Sequence, residues 1–419
     1  MKIAIINSKI DPAGVNIRQH LLEKLGVDET VVEKTVKYYS HTLCFFETEG
    51  RLIYESSLDC RLDADLIIFI SRHSGQNPMP ALTVHVTGNY GTAMLGGDDK
   101  ELAQSAPALM HAVLNELAKR APEGYKPSYE VTHHGPTDLK TPSFFVEIGS
   151  TEKEWSNEDA GLAVSESLLS VLKEESLKTI NLVGFGGNHY AARETEIALN
   201  SKGAFGHIVH SREIGNLSSS MILQMVQKSS ADAVYIDRKA VSGPDIVKLE
   251  KNLRGFDLPV LSEGEIKDIG DLPWDKYLEI KKIALCIDHL CRIHIGGMKN
   301  NGKPVEIKIN SELFEEAYKS DEKYFFETIN SLNVVSLTSQ TGRILPIFIT
   351  YEENRVQTIN DLISMCVKTL HKDKDTAVID DKLVIRKIRF DPAKAAELGV
   401  PKGPFFGKLA AGFDVMVGD

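Results

Sequence analysis

The chain has 419 residues, 42% hydrophobic and 26% charged, which excludes a disordered, fibrous or low-complexity protein and predicts two or three domains. Five scattered cysteines predict a reducing compartment rather than a disulfide framework. The formal net charge of -11 argues against a nucleic-acid partner, because phosphate binding rests on a basic footprint.

The acid excess is not evenly spread. Residues 1–270 carry 27 Lys and Arg against 37 Asp and Glu, and residues 271–419 carry 21 against 22. No apolar run approaches the ~18 residues of a spanning helix. The opening MKIAIINSK has too short an apolar stretch for a secretory signal. A cytoplasmic, membrane-free location is therefore expected.

Taken in chain order, strands and helices alternate. Residues 2–7 (KIAIIN) read as a strand, 15–25 as a helix, and 65–71 (DLIIFIS) as a buried strand. Residues 82–87 (LTVHVT) form another strand. A long helix is expected over 98–120, capped by Asp98 or Asp99. Strands at 128–133 and 143–148 follow, then a helix over 157–172. Next come a strand at 179–184, a helix near 190–200, a strand at 206–210 and a helix at 217–228. A strand at 233–236 and a helix at 243–252 complete the series. This alternation predicts an α/β fold with a mostly parallel sheet and helices on both faces. Its site would lie outside the carboxyl ends of the strands.

The Gly/Pro-containing tract 268–274 (DIGDLPW) reads as a linker. The predicted domains are 1–270, carrying the site, and 275–419, a smaller α+β accessory unit. Within the latter, the pairs Cys286/His289 and Cys291/His294 have the spacing of half a zinc site. A half-buried strand or helix accounts for them as well.

The histidines mark the site. His73 ends DLIIFISRH, His85 lies in LTVHVTGN, His133 and His134 end SYEVTHH, and His189 closes GFGGNH. Each lies beside Gly, Ser, Thr or Asn. Turn chemistry needs Gly and Asn but not His. Gathered at one rim, imidazoles bind Zn²⁺ or move protons near neutral pH. The tract Gly184–His189 lacks the third glycine of a dinucleotide loop and the Lys-Ser/Thr of a P-loop. A bare phosphate, ribose or carboxylate remains open to it. Arg193 and Glu194 follow one turn later and either face the same opening or are ordinary surface residues. Glu147 reads first as a solvated strand-end charge and second as a ligand or base, Ser71 and Ser74 lack a nucleophile-elbow context, and Cys44 reads as core.

SRHSG, HVTGN, THHGPT and GFGGNHYAAR, in this order over residues 1–270, resemble the archaeal and plant type of D-aminoacyl-tRNA deacylase. The resemblance implies hydrolysis of the ester joining a D-amino acid to the 3′ end of tRNA. It also implies zinc dependence and a fold like that of peptidyl-tRNA hydrolase and nucleoside phosphorylase. Plant members are linked also to N-modified D-aminoacyl-tRNA. Carried over by tract, the shared residues are His73 and Gly75; His85, Thr87, Gly88 and Asn89; and 133–137. The last tract adds Gly184, Gly186, Gly187, Asn188, His189 and Arg193, with Ala192 where proline is expected. The resemblance does not say which histidines hold metal; from the converging tracts we expect His73, His133 and His189 to hold it. His85 and His134 form the acid–base pair, with Thr137 and Asn89 also catalytic. Gly88, Gly184, Gly186, Gly187, Asn188 and Arg193 bind substrate.

Residues 390–409 are similar to the C-terminal tail of the tRNA 3′-processing endonuclease, without that class's metal motif. The nearby basic residues Arg386, Lys387 and Arg389 read as a solvated strand, with a tRNA backbone contact as the functional alternative, and a monomer is favoured. The rival readings are a metal-free ester hydrolase assisted by the ribose 2′-hydroxyl, a phosphorylase-like enzyme and a non-catalytic tRNA-binding protein.

Overall fold

The first strand, β1 (Lys2–Ser8), is all but fully buried after Lys2, and an apolar run of that kind can only sit inside a sheet covered on both faces. Six more strands join it: β2 (Lys34–Tyr38), β3 (His41–Thr48), β4 (Leu66–His73), β5 (Ala81–His85), β6 (Lys126–Tyr129) and β7 (Ser143–Gly149). Their order is β2-β3-β1-β4-β7-β5-β6. The central pairs β3/β1/β4/β7 and the edge pair β5/β6 are parallel. The pairs β2/β3 and β5/β7 are antiparallel. In this computed structural model, the described residues are 1–27, 34–75, 78–298, 302–373, 376–379, 382–385 and 390–416.

A second sheet departs from the single sheet expected from the alternation. It contains β8 (Ile180–Phe185), β9 (Gly203–Val209), β10 (Ala233–Ile236) and β11 (Val260–Leu261), all parallel, in the order β11-β10-β8-β9. Periodicity reports that a segment is a strand but not which sheet it joins. The seam is the irregular segment after β6. Val131 N–H donates to His189 O at 2.9 Å, and Thr132 N–H to Ile208 O at 2.8 Å. Glu130 N–H donates back to Val84 O of β5.

Helix Pro12–Leu25 starts where sequence chemistry dictates. Asp11 accepts from Ala13 and Gly14 N–H, and Pro12 fills the first turn, a cap worth about 1 kcal/mol. The expected helix over 98–120 begins only at Pro107. The residue before a proline is steered away from helical backbone; residues 99–100 form a turn, and beyond it Leu102 bridges Gly88 and Ser105 bridges Ser143. The strand expected over 128–133 ends at Tyr129, because the next residues bond across the seam.

The chain forms two units, Met1–Gly270 and Asp271–Asp419. The second has an antiparallel sheet of four strands, Arg292–His294, Pro304–Lys308, Val335–Thr338 and Ile344–Tyr351. Its core gathers Phe314, Phe325, Phe348 and Leu362 from that sheet and from helices 311–320, 322–331 and 355–373. Cys286 lies in the last turn of helix Trp274–Ile287, and His294 Nε2 meets Thr338 Oγ1 at 3.1 Å. Arg386, Lys387 and Arg389 lie outside the described residues. Among the described residues no helix is long and apolar enough to cross a membrane.

Candidate active site

Strand alternation sends Ser71 and His73 of β4 to one face. Ser71 pairs in register with Glu147 of β7, and His85 of β5 pairs with Phe145. Five side chains thus project from one face of the seven-stranded sheet. Gly149 sits opposite His73, and a Cβ there would come within 2.8 Å of the His73 side chain. Only glycine leaves room for that imidazole.

Glu130, His133 and His134 arrive from the seam, and His189 from the loop after β8. Glu130 is 2% exposed. Its Oε1 lies 3.1 Å from His73 Nδ1. Its Oε2 lies 2.9 Å from His189 Nε2 and 3.6 Å from His133 Nε2. Neither oxygen accepts a well-aligned hydrogen bond. The His73 ring lies 5.3 Å from that of His189, and His133 lies 4.9 Å from His189. The structure therefore brings the three expected metal-binding histidines around a carboxylate that sequence reasoning missed.

Among the described residues, three sets have ligand atoms within 4.8 Å of one another: His73–Glu130–His189, His85–His133–His134 and His85–Glu130–Glu147. His133 Nδ1 sits 2.8 Å from Val131 O. A proton assigned there leaves Nε2 with a bare lone pair, as metal-binding imidazoles are oriented by a backbone partner.

Burial would raise the Glu130 carboxyl, but the imidazoles of His189 and His73 outweigh it and hold it well below the usual range. His73 shows the converse. Burial opposes its charge, and Glu130 and Glu147 overcome that and raise it. Glu147 is not a solvated strand end. It is 4% exposed, accepts from Ser71 Oγ at 2.5 Å, and is pushed up by burial and by Glu130.

His85 and His134 face each other, Nε2 to Nε2, at 3.2 Å. His134 Nδ1 is 2.7 Å from Gly135 O, which assigns the shared hydrogen to His85 Nε2 and leaves His85 Nδ1 without a partner. Burial holds both imidazoles below their ordinary range, His134 at about 3.

A cavity of about 850 Å³ opens onto this cluster and is lined by His73, Gly75, Gly88, Asn89, His133, His134, Glu147 and His189. The Asn89 amide donates to Gly96 O and Asp98 O. Thr137 Oγ1 accepts from Asp98 N–H. Both therefore fasten the loop 89–98. Of the other expected substrate residues, Gly187, Asn188 and Arg193 line a separate, more open depression. Arg193 is engaged there by Glu263 at 2.9 Å and Asp237 at 3.8 Å. Gly184 is buried in β8 and Gly186 beside Asp237. Glu194 is not a surface residue. It is 0% exposed, and burial pushes it up to about 8.

Buried imidazoles and carboxylates on one cavity of an α/β fold define an enzyme centre suited to proton transfer and metal ligation. The comparisons with known proteins agree. A family profile described as D-aminoacyl-tRNA deacylase matches residues 60–261. A D-aminoacyl-tRNA deacylase of Methanosphaerula palustris is 46% identical over 419 residues, covering 100% of this chain and 94% of that protein. One from Thermococcus kodakarensis is 38% identical over 254 residues, 58% of this chain and 93% of that protein. A crystal structure of a conserved protein of unknown function aligns with a TM-score of 0.59 at 33% identity, covering 64% of this chain and 96% of that one. The chain belongs to the D-aminoacyl-tRNA deacylase family, and is thereby a hydrolase of aminoacyl-tRNA ester bonds.

Proposed function

We propose that this chain releases D-amino acids from tRNA by hydrolysing the ester to the terminal ribose, assisted by zinc, as a cytosolic monomer. The observation that carries the metal is the placement of His73, His133 and His189 around Glu130, whose buried oxygens have nitrogens close by but no aligned hydrogen bond. His73, Glu130 and His189 present ligand atoms within 4.8 Å of one another, with His133 in the adjoining set with His85 and His134, and an imidazole–carboxylate set suits zinc. Zinc in such a set supplies Lewis-acid activation of water and of an ester carbonyl.

The remaining steps belong to this chain's own groups. Glu147 and Tyr190 flank His73 at 3.6 Å and 3.2 Å and fix its ring. His134 lines the cavity, and His85 stands behind it. Both are neutral at working pH; His134 Nε2 can accept a proton during attack and return it to the departing ribose oxygen once it gives up its contact with His85 Nε2–H. Asn89 and Thr137 act by position, holding the loop whose Gly88–Asn89 backbone borders the reacting ester. Chiral choice follows from exclusion, a pocket without room for the L side chain. In this reading residues 1–270 catalyse, the unit from 275 adds tRNA affinity, and the core shares its plan with phosphorylases and peptidyl-tRNA hydrolase.

Metal content tests the reading directly. The purified chain should retain zinc, and His73→Ala and Glu130→Ala should lose it together with deacylation. Full activity in a zinc-free chain would favour the rival in which the ribose 2′-hydroxyl assists.

A further inference from the structure

The first unit is acidic, yet its expected partner is a polyanion. The cavity mouth resolves this. Arg51, Arg72 and Arg212 all line the cavity that holds the histidines. They come from three separate places: before the turn Leu52–Tyr54, near the end of β4, and in the turn Ser211–Asn216 after β9. Arg51 and Arg212 are exposed and Arg72 is half-buried.

Of the carboxylates lining the same cavity, Asp11 and Glu147 are engaged by other groups, and only Glu213 pairs with one of the three arginines, in an exposed contact that a phosphate can displace. Asp11 caps its helix and accepts from Arg72 N–H. Glu147 is buried against Ser71 and His73. Glu213 lies 3.3 Å from Arg212. Arg51 sits over the Tyr54 ring at 5.6 Å and Arg72 over Trp155 at 5.0 Å. An arginine stacked on a ring keeps its in-plane N–H fork available for a phosphate.

The fastened loop 89–98 adds apolar surface beside these cations. Met94 is 82% exposed and Tyr54 is 58% exposed. A Cβ on Gly96 would fall 3.1 Å from Tyr54 Cδ1, so loop and ring are neighbours. Cations interleaved with ring and apolar surface are what single-stranded nucleic acid binds. The cavity volume, about 850 Å³, suits one small ligand such as an esterified nucleoside. Any nucleotides before it must run across the mouth.

We propose that Arg51, Arg72 and Arg212 bind the phosphodiesters of the unpaired nucleotides leading to the esterified ribose, with Tyr54 and Met94 as surface for their bases. The inference rests on the deacylase reading above. Its test compares two substrates, D-tyrosyl-tRNA and 3′-O-D-tyrosyl-adenosine, which carries the ester but no phosphodiester.

The wild-type chain should prefer the tRNA. In the variant carrying Arg51→Ala, Arg72→Ala and Arg212→Ala, that preference in kcat/KM should fall about tenfold or more, mostly through KM. The salt dependence on tRNA should become shallower by about 0.7 in log–log slope per arginine removed. Because Arg72 packs on Trp155, the double variant Arg51→Ala/Arg212→Ala, confined to exposed side chains, should show the same trend. An unchanged preference with an unchanged salt slope in the double and triple variants overturns the proposal. A wild-type chain that hydrolyses neither substrate overturns the deacylase reading itself, and this inference with it.

Discussion

Glu130 Oε2 lies 2.9 Å from His189 Nε2, and the two residues follow strands of different sheets. The contact is buried on the Glu130 side and joins the seam after β6 to the loop after β8. The proposed centre therefore exists only when both sheets have assembled. Glu130→Gln keeps the shape and removes the charge. We expect deacylation to fall on the order of 100-fold or more with parallel loss of metal affinity, measured by kcat/KM and by zinc titration. Loss of activity with unchanged zinc affinity would place Glu130 in proton transfer instead.

His134→Ala removes the cavity-facing member of the imidazole pair. Turnover on D-aminoacyl-tRNA should drop about 10²–10⁴-fold with KM little changed. Stability should respond as well. The ordinary imidazole value is 6.5, and burial holds His134 near 3. Below pH 6.5 the unfolded chain takes up a proton that the folded chain refuses. This contribution is thus full above pH 6.5 and is lost as the pH falls toward 3. The variant should unfold with a weaker acid dependence than wild type in denaturant titrations at several pH values.

Glu194 has the opposite sign. Its carboxyl is raised from 4.5 to about 8, first by burial and then by Asp237, and neither oxygen has a hydrogen-bond partner. Between those values the folded chain keeps a proton that the unfolded chain releases, so stability falls as pH rises through the window. Glu194→Gln should match wild type near pH 4.5 and exceed it above pH 8, by an amount on the order of a few kcal/mol. Urea midpoints at the two ends of the window measure this, and equal midpoints would show that Glu194 finds a partner.

Thr137→Val removes the acceptor of Asp98 N–H, and an unsatisfied amide costs about 1–3 kcal/mol when buried. The loop 89–98 should loosen. KM should then rise more than kcat falls, whereas a group taking part in the chemistry would lower kcat with KM little changed.

Much of this was legible in the sequence. Each histidine tract is short and polar and lies at or just beyond a strand, so His73, His133, His134 and His189 could be picked out as candidates that the structure brings to one cavity. Asp11, Asn157 and Ser242 cap helices as their side-chain chemistry dictates. Glu130 was hidden because SYEVTHH reads as one alternating strand. The residue takes its role from a break in the strand that tertiary hydrogen bonds impose. Glu194 looked like surface because a lone Glu after Arg normally is, and only packing beneath Gly187 buries it. The second sheet was equally hidden, since strand pairing is non-local.

The most direct test of the central claim is deacylation of D- and L-tyrosyl-tRNA with and without a metal chelator. The account predicts hydrolysis of the D-ester alone, lost on chelation and restored by zinc. D-specific hydrolysis that survives exhaustive chelation would contradict it.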